Sequence, residues 1–169
     1  ASALPVNGVA VDPQEFIQAA QNPGGWWAGG DWPQGQGLEG FLYPDTYRIA
    51  RTASVEEVIN LLSSRFFEQV SEELRGGFRR QGLDMVQAVT LASIVQREAV
   101  IQDEMPMIAS VFLNRLAVNM KLDSDPTVQY ALGYQNGRGG WWTNPLSLAD
   151  LQIDSPYNTD RARSFLRIR

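Results

Sequence analysis

The most apolar stretch of the chain, residues 85–99, places Leu91, Ile94, Val95 and Glu98 at helical spacing and predicts a helix that Asp84 opens. A second helical stripe runs through Val58, Leu61, Leu62, Phe66, Phe67, Val70 and Leu74, with Ser54 as its cap and Glu57 at the capping-box position. Gly76-Gly77 is expected to end or kink it. Asp103 and Pro106 open a further helix whose apolar face includes Ile108, Val111, Phe112, Leu113 and Leu116.

Shorter elements follow from capping chemistry. Asp12-Pro13 reads as cap and first helical residue of a helix that stops at Asn22-Pro23. Asp125-Pro126 reads the same way for a helix over 127–132, and residues 147–151 read as one more helical turn. Residues 41–49 are strand-like but broken by Pro44, which predicts a bend into a short edge strand around Tyr47–Ile49. Several helices with a few short strands, lacking regular strand-helix alternation, predict an α+β fold. Trp26, Trp27, Trp32, Trp141 and Trp142 all lie in Gly-rich loops, and Gly-Gly-Trp-Trp occurs at 24–27 and again at 139–142. Such a short match does not make a repeat. The indoles either offer aromatic faces to a ligand or pin the loops to the core, and pattern alone leaves both open.

Composition narrows the chemistry. With 169 residues, 44% of them hydrophobic, the chain can bury a core. A net charge of -5 offers no basic field for phosphates, so nucleic acid is not expected as a partner. The chain has no histidine and no cysteine. That removes thiol nucleophiles, the Ser-His-Asp arrangement and the usual zinc ligands, and no cofactor or metal is expected. Acid-base work falls to Asp, Glu, Lys and Tyr. The chain starts at Ala1 without a charged leader or a membrane-spanning apolar run, which reads as an excised fragment.

Glu98 is the strongest candidate for that work. A carboxyl on an apolar stripe is costly unless it is used or paired, because desolvation disfavours the ionised form. Arg97, about 100° away around the helix, is not an easy partner for it. Asp125 reads either as a cap for the Pro126 helix or as a second carboxylate. Glu39, after the Gly-rich loop, reads either as a groove residue or as a backbone-binding turn residue. Tyr157 and Asn158 offer neutral hydrogen-bonding groups, and equally read as a turn. Asn114 reads as a groove residue, and Arg115 as a structural partner for a carboxylate.

Five blocks in order (38–47, 92–99, 109–116, 122–130 and 154–159) resemble the motif set of the YceG-like endolytic murein transglycosylases. Among them are Leu-Glu-Gly-Phe-Leu-Tyr-Pro-Asp-Thr-Tyr, Ala-Ser-Ile-Val-Gln-Arg-Glu-Ala and Leu-Asp-Ser-Asp-Pro-Thr-Val-Gln-Tyr. The resemblance implies an enzyme that cuts peptidoglycan glycan strands internally and leaves 1,6-anhydro-N-acetylmuramic acid ends. Glu98 stands where that family keeps its catalytic acid. Glu39, Asn114, Asp125, Thr127, Tyr157 and Asn158 fall in the blocks that line or support the groove, and are expected to bind substrate.

The resemblance further implies an N-terminal membrane anchor in the full-length protein, a catalytic region outside the cytoplasm on the periplasmic side, and peptidoglycan synthases as partners. Residues 1–37 are expected to be an N-terminal remnant with a Gly/Trp-rich loop, 38–159 the catalytic domain, and 160–169 a divergent tail. Two other readings stay open: a water-using muramidase with Asp125 or Glu39 beside Glu98, and a glycan-binding module without turnover.

Overall fold

Helical periodicity carries both cores of the molecule. The computed structural model describes residues 1–24, 36–138 and 140–161. Trp26, Trp27, Trp32 and the greater part of the segment 160–169 lie outside the described residues. The chain divides into two compact units, one over residues 1–77 and one from Phe78 onward.

The first unit begins with α1 (Ala3–Val6), α2 (Pro13–Gln21) and α3 (Val55–Gln69). Asp12 caps α2, its carboxylate accepting from the N–H groups of Gln14 and Glu15 at 2.8 and 3.0 Å. Ser54 and Glu57 close the expected capping box on α3. Val9, Val11, Phe16, Leu38, Val58 and Ile59 form the buried cluster that joins these elements.

Two expectations fail in this unit. The helix from Ser54 does not run to Leu74: it stops at Gln69, and α4 (Glu72–Arg80) starts after Ser71. Arg75 reaches back from α4 to the orphan carbonyls of Phe67 and Val70, at 2.9 and 3.0 Å, which stabilises the break. Gly76 and Gly77 lie inside α4.

The second failure overturns the α+β assignment. Among the described residues the protein is helical, with one isolated antiparallel bridge between Gln135 and Gly140 and no sheet. Residues 47–49 form no strand because their segment has no ladder to join. The Tyr43 N–H donates to the carbonyl of Leu62 in α3, and the Tyr47 hydroxyl donates to the Tyr43 carbonyl. Ile49 packs against the first core, so its burial comes from a helix neighbour and not from strand pairing.

The second unit contains α5 (Met85–Glu98), α6 (Met105–Ala117) and α7 (Asp125–Leu132), with 3-10 turns at Gln102–Glu104 and Asp150–Gln152. Asp84 and Gln87 form a capping box that starts α5. Leu83, Ala88, Leu91, Ile94, Val95, Phe112 and Leu122 are the core against which α5 and α6 pack. Among the described residues no helix is long and apolar enough to cross a membrane.

An ion pair between the exposed Arg138 and the buried Asp150 fastens the segment beyond α7. Arg138 grips both oxygens of Asp150, at 2.8 and 2.7 Å, and the Ser147 N–H and hydroxyl donate to the same carboxylate. The guanidinium first, then the Ser147 donors, hold the Asp150 carboxyl well below the usual carboxylate range. Its folded value lies below its unfolded one, so its stabilisation is present above the ordinary aspartate value of about 3.9 and is lost as pH falls below it. Asp150→Asn is therefore expected to lower the melting temperature at neutral pH, with the difference from the parent shrinking as pH drops below that value. A difference that stayed constant with pH would contradict this role.

Candidate active site

Glu98 is the last residue of α5 and is half-buried. The stripe that carries it is buried at Leu91, Ile94 and Val95, as its spacing predicts. The C-terminal end of a helix carries the negative pole of its peptide dipoles, a poor resting place for a carboxylate that does nothing. Its Oε1 accepts the hydroxyl of Ser124 at 2.5 Å, and Ser124 is the N-cap of α7. The carboxyl therefore lies between the end of its own helix and the start of another.

Behind that contact is a buried hydroxyl cluster. Ser124, Thr127 and Thr159 are 1%, 7% and 0% exposed. The Ser124 N–H donates to Thr159 Oγ1 at 3.2 Å, and Thr127 Oγ1 donates to the Ser124 carbonyl at 2.7 Å. The two threonine hydroxyls meet at 2.8 Å. Ser124 and Thr159 belong to the motif blocks but were not expected at the site. Their signal was the order of the blocks, since contacts spanning 26 and 35 residues leave no local trace.

The expected substrate residues separate by location. Asp125 is exposed at the first position of α7, one residue inside the true cap. Thr127 is in the cluster. Tyr157 is 37% exposed and sets its ring edge-on to Tyr130 of α7, with centroids 4.9 Å apart. Asn158 is fully buried, and its amide donates to the carbonyls of Leu151 and Ile153 while its oxygen accepts the Asp160 N–H. Asn114 is exposed on α6. Glu39 lies in the first unit, exposed and next to the buried Leu38.

Arg115 departs from its expected role, whereas Arg97 keeps to its own. Arg115 donates to the Leu122 carbonyl rather than to a carboxylate, which fixes the chain just before Ser124. Arg97 turns away from Glu98 and lies over the ring of Trp142, 3.9 Å from its centroid. Trp142 and Trp141 remain 42% and 51% exposed. The following residue, Thr143, is buried and accepts the side-chain amide of Gln129 in α7 at 2.8 Å, so Trp142 is held from both sides. Burial raises the Asp160 carboxyl above the usual range, and the nearby Asp123 and Asp125 push it the same way. Among the described residues no group of acidic side chains is arranged to hold a metal ion.

A half-buried carboxyl with a hydroxyl donor on one of its oxygens is suited to proton transfer. A model of the YceG-like family matches residues 5–164. The chain is 36% identical over 123 residues to the endolytic murein transglycosylase of Bacillus subtilis, a match covering 72% of this chain and 32% of that protein. It is 31% identical over 121 residues to the endolytic murein transglycosylase of Streptococcus pneumoniae, covering 72% of this chain and 21% of that protein. The chain thus spans 32% or less of the length of these curated relatives. A crystal structure of a YceG-like protein from Listeria monocytogenes matches with a TM-score of 0.60 and 31% identity, over 89% of this chain and 48% of that one. The chain belongs to the YceG-like family.

Proposed function

We propose that this chain carries the catalytic part of an endolytic lytic transglycosylase, which cleaves the β-1,4 bond between N-acetylmuramic acid and N-acetylglucosamine in peptidoglycan strands without water. Glu98 is its acid and then its base. The observation that carries the reading is the setting of that carboxyl, half-buried at a helix end with a hydroxyl donor on one oxygen. Membership of a family whose curated relatives are endolytic murein transglycosylases supports the substrate.

The chemistry balances with one carboxyl. The protonated acid gives its proton to the glycosidic oxygen as the bond to the muramic C1 breaks through an oxocarbenium-like state. The carboxylate left behind takes the proton of the C6 hydroxyl as that oxygen closes onto C1. The acid is restored, and the product is a 1,6-anhydro end. Trp142, held by Arg97 yet 42% exposed, offers a fixed face for a sugar ring. In the full-length protein this reading places the catalytic unit on the extracytoplasmic side of the cell membrane, with peptidoglycan synthases as partners whose strands it ends.

Digesting purified glycan strands and weighing the fragments tests the proposal. Early fragments of mixed length, each with an anhydro muramic end, are expected. Reducing ends would point instead to a water-using muramidase, and uncut strands to a binding module.

A further inference from the structure

Ser124 stands at the N-cap of α7, where a serine ordinarily turns its hydroxyl onto the amides of the first turn. It makes no such bond here: its Oγ–H goes to Oε1 of Glu98 at 2.5 Å instead. The helix forgoes a cap, and the hydroxyl is spent on the carboxyl.

Proton counting shows how that hydroxyl is held. A hydroxyl has one proton to donate. Thr127 has given its proton to the Ser124 carbonyl, so in the 2.8 Å contact between the threonines the donor is Thr159. Thr159 Oγ1 in turn receives the Ser124 N–H, and Thr127 Oγ1 receives the Thr159 N–H at 3.3 Å. Both backbone polar groups of Ser124 are thereby tied to buried threonines. Its side-chain proton points at Glu98.

We propose that Ser124 is the positioning residue for Glu98, and that Thr127 and Thr159 act by fixing Ser124. The inference rests on the reading of Glu98 as the acid and deepens it. With Oε1 occupied by the Ser124 hydroxyl, the acid proton is kept on Oε2, the oxygen left for the glycosidic bond. A hydrogen bond to an ionised oxygen is roughly twice as strong as one to a neutral oxygen, so this contact tightens as Glu98 gives up its proton. Such an interaction acts on kcat and leaves substrate binding nearly unchanged.

The test is steady-state cleavage of purified glycan strands by the full chain. Ser124→Ala is expected to lower kcat about 10- to 100-fold with KM little changed. Thr159→Val, which keeps the shape and removes the hydroxyl, is expected to lower kcat in the same direction by less, so the inference does not hang on one variant. Placed in a Glu98→Gln background, Ser124→Ala is expected to add no further loss, because it acts through the acid. A parental kcat in Ser124→Ala, or an equal loss in both backgrounds, overturns the inference. If Glu98→Gln alone cleaves as fast as the parent, the reading of Glu98 fails instead. The carbon NMR signal of the Glu98 carboxyl then decides separately whether Ser124 holds it: Ser124→Ala moves that signal if it does, and an unmoved signal overturns the contact.

Discussion

Glu98→Gln is expected to lower the rate of strand cleavage by about 100- to 10,000-fold, the range over which a positioned acid-base group contributes. The substitution is close to a minimal one. The carboxamide has nearly the same shape and keeps an oxygen for the Ser124 hydroxyl, which donates to Oε1 in the parent. What it lacks is an acidic proton for the glycosidic oxygen and a base to take the proton of the C6 hydroxyl. The melting temperature and KM are therefore expected to stay close to those of the parent, so the loss is in kcat. Release of anhydro ends over time measures this, and a variant that cleaved as fast as the parent would contradict the assignment of Glu98.

Asn158→Ala is expected to have the largest effect on stability, about 3 kcal/mol in denaturant unfolding. The side chain is fully buried and makes three backbone hydrogen bonds, two donated to the Leu151 and Ile153 carbonyls and one accepted from the Asp160 N–H. Alanine strands all three partners, and a stranded buried group costs about 1–3 kcal/mol. The next residue is Thr159, whose hydroxyl and amide tie down Ser124 and Thr127, so activity is expected to fall together with stability. A residue whose main role was to contact sugar would behave differently. Its removal would raise KM and leave the unfolding midpoint in place, so that pairing would contradict the structural role.

What was legible in the amino-acid sequence follows the range of the forces involved. Capping acts over three residues, and the caps at Asp12, Ser54 and Asp84 all form as their spacing predicts. The stripe of Leu91, Ile94 and Val95 is buried for the same reason, since helical period alone sets which residues share a face. The edge strand at 47–49 failed because strand character needs a partner chain, and residue types cannot supply one. The end of α3 was misjudged because Arg75 caps its carbonyls from the following helix, a competitor that the apolar periodicity does not register. Of the two readings of Asp125, the cap fails by one residue: Ser124 holds that position and makes no cap bond. At the site, Glu98 stood out through its own neighbours in sequence. Its partner Ser124 is 26 residues away and became visible only when the chain was folded.

In the proposed reaction one carboxyl does both proton transfers, and the C6 hydroxyl, not water, closes the muramic ring. Cleaving purified glycan strands in heavy-oxygen water tests this directly. Product ends one water lighter than hydrolytic ends, with no heavy oxygen incorporated, are expected. Heavy oxygen at the new muramic C1 would contradict it.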